Sequence, residues 1–325
     1  MHPVSVHPAG VAPADAGLVA ALVVAAYAYA RGARRLRDGA GPRALPAWHI
    51  VMFAAGWAAV AGAMLPPLRD ATESSLAAHM VQHELLIVIA APLLVVGRAP
   101  VAMLWALPQS VRARARAVLS AAGPRFMRHT LASPLVVWSI AAALFWMWHV
   151  PPVFKTALES EALHAVEHLC FFGGALASWW VALHGRYGRL GYGAAALWLF
   201  VTALHSSLLG GLLTVSPRLW YGMPAGELVP LRALEDQQLA GLLMWVPGGV
   251  LHAAAGLALI GAWLREAGRR LHGAAGLCSG DQPWGRTVTT PADGDHPGQR
   301  FAKTVLNRPS ASAANNKPRS RSAIS

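Results

Sequence analysis
The chain has 325 residues, 55% of them hydrophobic and 13% charged, with a formal net charge of +12 and a mean hydropathy of +0.42. That is more apolar surface than a soluble domain of this length can bury, so a water-soluble enzyme or binding module is excluded and an all-α, polytopic membrane protein is expected. The positive charge needs no nucleic acid: from Arg265 onward ten basic and four acidic residues leave a net of +6, half of the excess, in a polar tail.

Seven apolar stretches of helical length follow one another at 16–31, 47–66, 76–97, 131–150, 162–184, 192–214 and 239–264. Most reach the roughly 20 residues that cross about 30 Å of hydrocarbon. The first is the shortest and ends at Arg31; it spans if Tyr27 and Tyr29 sit in the interface. The second opens with His49, expected at the interface of the inner surface. The third carries His79 and His83, and the fifth carries His164 and His168; the i, i+4 spacing of each doublet sets both imidazoles on one helix face. His149 ends the fourth stretch just before Pro151 and Pro152, which stop the helix. Cys170 follows the second doublet, His205 lies within the sixth stretch, and His252 follows a Pro247-Gly248-Gly249 interruption in the seventh. With Cys278 in the tail, no disulfide is expected for Cys170.

Basic residues set the expected orientation. Segments 31–46, 98–130, 184–191 and 265–325 hold 5, 6, 2 and 10 of the 27 Lys and Arg; the intervening segments hold only Arg69, Lys155, Arg218 and Arg232. Such alternation predicts a seven-helix bundle with its N-terminus outside and its C-terminus in the cytoplasm. Three parts are expected: a short outer N-terminus at 1–14, a transmembrane domain at 15–270, and a disordered basic tail at 271–325 rich in Gly, Pro, Ser and Asn. The N-terminus has no Lys or Arg, unlike a signal peptide. Anionic lipid is the expected partner of the basic loops and tail, with Arg112, Arg114 and Arg116 on a short surface helix from Pro108 to Ser120.

This orientation levels the two doublets. At 1.5 Å per residue His79 and His83 lie roughly 5 and 10 Å below the outer end of their span, His164 and His168 lie nearly as deep, and His205 lies about 13 Å down. Together with His149, these imidazoles are expected to converge in the outer leaflet, with Glu167 as a ligand or as the acceptor that fixes a tautomer. Ionisable groups in a span mark function unless they only tie helices together. Imidazole suits copper, zinc or iron, and Met64, Met80, Met147, Met223 and Met244 near the same side favour Cu(I). Glu84 points about 100° away from His83 and is not assigned to this cluster. Two alternatives use the same residues. One is an intramembrane zinc hydrolase with Glu167 or Asp236 as base and Ser206 and Ser207 beside His205; the other is a bis-His haem protein.

The string His79-Met80-Val81-Gln82-His83, followed by Ala91-Pro92-Leu93-Leu94-Val95-Val96-Gly97-Arg98, resembles the third span of the multi-spanning CtaG family of bacterial cytochrome c oxidase assembly factors. Trp148-His149-Val150-Pro151-Pro152 leading into His164-Ala165-Val166-Glu167-His168 is similar to it too, as are Asp236-Gln237-Gln238-Leu239-Ala240-Gly241 and Met244-Trp245-Val246-Pro247-Gly248-Gly249. The resemblance covers about 45–270; the 54 residues after Leu271 have no counterpart, and His252 is not carried over. It implies a seven-span protein of the bacterial plasma membrane that matures a haem-copper oxidase, with the oxidase subunits as partners, delivery or insertion of copper as its role, and no catalytic turnover.

Overall fold
A computed structural model of the chain describes residues 13–121, 133–184, 191–221 and 230–278. The chain divides into two compact units, Met1–Gly280 and Asp281–Ser325; the second, which takes in most of the expected tail, lies outside the described residues. Among the described residues the protein is helical, without strands. The helices are α1 (Pro13–Ala40), α2 (Ala47–Met64), α3 (Leu68–Ala71), α4 (Leu76–Val96), α5 (Ala99–Ala106), α6 (Gln109–Ala121), α7 (Pro134–Trp148), α8 (Pro151–Leu158), α9 (Glu161–His184), α10 (Gly191–Val215) and α11 (Pro230–Cys278). Six described helices are long and apolar enough to cross a membrane, and the bent pair α7 and α8 makes a seventh if it counts as one span. Their outward faces carry Val24, Leu135, Leu169, Phe200 and Leu257, each more than 60% exposed, a coat that only lipid tolerates on this scale.

Three expected elements change. The first helix runs on to Ala40 instead of ending at Arg31: Arg31 is tolerated because long basic side chains reach past apolar surface to water. In the fourth stretch the Pro-Pro pair does more than stop a helix, since α8 leaves α7 at 76°. The seventh stretch is uninterrupted: α11 continues through Pro247 and on to Cys278, past the expected start of the tail. Glu266 carries it beyond the apolar stretch by pairing with Arg269 at 2.6 Å and Arg270 at 3.1 Å, the i, i+3 and i, i+4 pairs that support an exposed helix.

The sequence around Pro92 explains a local widening of α4. Residues Leu85–Ala90 form a π-helix between α-helical Leu76–Glu84 and Ala91–Val96. Proline lacks the N–H and excludes the carbonyl four residues back, and the turn before it opens so that Ala91 N–H bonds Leu86 O. The Ile87 carbonyl thus released accepts from Trp179 Nε1 of α9 at 3.0 Å. Elsewhere small residues let backbones touch. A Cβ on Gly210 of α10 would stand 2.8 Å from Gly241 O of α11. His49, expected at the surface, is buried, and its ring bonds Val96 O at 2.6 Å; α2 thereby grips the end of α4.

Candidate metal centre
Three consecutive residues of α11 fix the start of α4 and the loop after α10. Asp236 accepts from Ser75 Oγ at 2.7 Å and from Leu76 N–H at 2.6 Å, placing a carboxylate on the positive end of α4. Gln237 accepts from Trp220 N–H at 2.6 Å and donates to Arg218 O, and Gln238 donates to Ser216 O. The loop held in this way presents Tyr221, whose hydroxyl donates to His149 O at 2.6 Å. Burial pushes the phenol well above its ordinary range, with the Glu167 carboxylate adding to the effect, so it remains a neutral donor.

On this frame α4 and α9 face each other and the two doublets meet. Ring centroids are 5.2 Å apart for His79 and His164, 4.9 Å for His83 and His168, and 4.5 and 4.4 Å within the doublets. His83 Nε2 lies 2.7 Å from His79 Nε2, so one nitrogen carries the hydrogen and the other receives it. Glu167, 1% exposed, approaches His83 Nε2 at 3.9 Å. Phe154 of α8 stands edge-on to His79 at 5.3 Å and Phe171 edge-on to His83 at 4.9 Å, so the 76° bend closes one wall of the site.

Six polar atoms in this cluster are buried without a hydrogen-bond partner: Nδ1 of His79 and His83, Nε2 of His164 and His168, and both oxygens of Glu167. Folded proteins satisfy nearly all such atoms, and an orphan calls for a bound ion or water. Ligand atoms of His79, His164 and Glu167 lie within 4.8 Å of one another, the geometry of an ion site. A metal ligand must offer a lone pair, and whichever of His79 and His83 donates the shared hydrogen from Nε2 keeps its lone pair at the partnerless Nδ1. The site also has access to water. A cleft of about 880 Å³ reaches His164 and His168 from a mouth carrying Arg69, Asp70, Glu73 and Glu161.

The other expected members stand elsewhere. His149 packs against Phe171 at 5.5 Å, and its Nδ1–H donates to Phe145 O at 2.7 Å. His205 is outside the cluster: its ring faces Trp138 and Phe145 at 5.4 and 5.5 Å and lines a separate cavity with Glu84 and His252. Among the described residues, Met80, Met147 and Met244 do not gather around the imidazoles. Met80 and Met244 are buried with Leu76, Phe154 and Leu213 in an apolar core, Met147 is exposed, Met64 lines the cleft, and Met223 lies outside the described residues. Helical phase turns Met80 away from the face that carries His79 and His83.

The alternatives meet their own obstacles. Asp236 is committed to the α4 cap, and Ser206 Oγ bonds back to Thr202 and Ala203 carbonyls. A porphyrin needs an open slab between two axial imidazoles, whereas these rings touch one another and Phe154 and Phe171.

Fold and site define a class: a multi-helix membrane protein with a buried imidazole-carboxylate centre reached through a polar cleft. The chain belongs to the cytochrome c oxidase caa3 assembly factor family (Caa3_CtaG), whose family model matches residues 27–266. No curated protein and no solved structure matches it.

Proposed function
We propose that this assembly factor binds one Cu(I) between His79, His83, His164, His168 and Glu167 and gives it to a cytochrome c oxidase subunit during assembly in the bacterial plasma membrane. The observation that carries this reading is the set of six partnerless polar atoms on the two doublets and Glu167, with ligand atoms of His79, His164 and Glu167 within 4.8 Å of one another. Charge favours a monovalent ion: neutral imidazoles with a single carboxylate cancel one positive charge, whereas a divalent ion leaves a net charge where charge is most expensive. Imidazole ligation suits copper, and ligand exchange among more donors than Cu(I) needs lets the ion leave. Alternating basic connectors support seven spans with the N-terminus outside, which turns the acidic mouth of the cleft to the outer aqueous phase. His149 then positions the site through Phe171, and His205 has no part in it.

The test is genetic. In a strain lacking the protein, the wild-type chain restores an oxidase with its full copper content. A chain with His79→Ala and His164→Ala, present in the membrane at the same level, yields oxidase deficient in copper. Normal copper in oxidase matured by that variant overturns the reading.

A further inference from the structure
A second set of metal-binding side chains lies across α4 from the first. His83 and Glu84 are consecutive, so they leave the helix about 100° apart, and Glu84 faces a cavity of about 80 Å³ walled by α4, α7, α9, α10 and α11. Glu84, Cys170, His205 and His252 line this space together with Trp138 and Trp198. Its polar groups are ready for a ligand. Glu84 Oε2 is shut off from solvent with no hydrogen-bond partner, and the indole nitrogens of Trp138 and Trp198 also have none. Nδ1 of His205 lies 3.2 Å from Val201 O, and Nδ1 of His252 lies 2.8 Å from Gly248 O. A carbonyl only accepts, so both Nδ1 carry hydrogen and both Nε2 keep a lone pair. The second ring is also held flat against Trp179 at 5.1 Å.

Gly248 makes room for the carboxylate. A Cβ there would meet Glu84 Oε2 at 3.1 Å, so the Pro-Gly-Gly segment of α11, which does not break the helix, leaves a pocket for an acid inside the bundle. We propose that Glu84, His205 and His252 form a second binding site for a monovalent soft cation, Cu(I) or Ag(I), deeper in the bundle than the first. One carboxylate with two neutral imidazoles again cancels a single positive charge, and the Cys170 sulfur on the wall suits the same soft ion. Among the described residues only the first centre has three ligand atoms drawn within 4.8 Å, so the proposed ion must draw Glu84, His205 and His252 together as it binds. Because α4 bears His83 and Glu84 on one turn, it serves both sites. The proposal takes its ion class from the function proposed above and adds a site to it.

The experiment is an Ag(I) titration by calorimetry on the full chain in lipid nanodiscs, with five proteins. Wild type binds two equivalents. The His79→Ala, His164→Ala variant binds one, and the Glu84→Gln, His252→Ala variant binds one, its retained first site certifying its fold. The quadruple variant binds none. Gly248→Ala, which only crowds Glu84, weakens the second equivalent at least tenfold and spares the first. The second site is overturned if the His79→Ala, His164→Ala variant binds no Ag(I), or if its remaining equivalent survives Glu84→Gln with His252→Ala. The first site fails separately, if wild type and the His79→Ala, His164→Ala variant bind equally.

Discussion

Glu167 lies two turns into α9, 1% exposed, with neither oxygen hydrogen-bonded, beside the imidazoles of His79, His83 and His164. An unsatisfied buried polar group costs about 1–3 kcal/mol, so the ion-free cluster lowers stability that a bound ion restores. At free Cu(I) a hundredfold above Kd the gain is about 2.7 kcal/mol. Wild type should therefore unfold at a clearly higher temperature with Cu(I) than without, while the His79→Ala, His164→Ala variant loses the first site's share of that rise; differential scanning fluorimetry under anaerobic conditions reads both. Glu167→Gln keeps the shape and removes the charge that balances the ion, so its Cu(I) affinity falls at least tenfold, about 1.4 kcal/mol, in a chelator competition. The doublets were legible in the sequence because i, i+4 spacing fixes a shared face. The pairing of α4 with α9 was not: it depends on which helices touch. For the same reason His205 was expected beside residues from which its packing on Trp138 and Phe145 removes it.

At the scale of elements, the Asp-Gln-Gln run works as a clamp. Asp236 satisfies the first N–H groups of α4, and its two neighbours hold the loop that carries Tyr221. Asp236→Ala should cost about 2 kcal/mol, the value of a charged hydrogen-bond acceptor, and should weaken Cu(I) binding as well, because His79 begins one turn beyond the cap. Thermal unfolding and chelator competition on the same sample check the pair of effects; destabilisation with unchanged affinity would mean that the clamp does not position His79. The contact between Gly210 and Gly241 is a packing device alone. Gly241→Ala should cost about 1–3 kcal/mol by overpacking, measured as a lower unfolding midpoint with the Cu(I) stoichiometry kept. Four of the seven stretches could be bounded to within two residues by hydropathy, since the helices Ala47–Met64, Leu76–Val96, Glu161–His184 and Gly191–Val215 end where apolar residues end. The 76° bend and the π-turn were hidden: a proline in sequence says that a hydrogen bond is lost, not whether the chain bends, widens or, as at Pro247, continues.

At the scale of the whole molecule the centre is an aqueous site inside a lipid-facing bundle. The cleft past Asp70, Glu73 and Glu161 makes Ala165, which lines it and is exposed, reachable from water. With Cys170→Ser and Cys278→Ser as background, Ala165→Cys should react in intact cells with a membrane-impermeant, positively charged thiol reagent. Reaction only after the cells are opened would reverse the orientation read from the basic connectors. The membrane class and the alternation of charge were legible in the sequence because both follow from composition along the chain. The cleft was not, since its lining comes from α1, α2, α3, α4, α8 and α9 and the loop after α3. The most direct measurement is an anaerobic Cu(I) titration of the purified chain against a competing chelator, in parallel with the His79→Ala, His164→Ala variant. Wild type should take copper from the chelator and the variant should take one equivalent less; equal uptake by the two proteins, or none by either, would contradict the account.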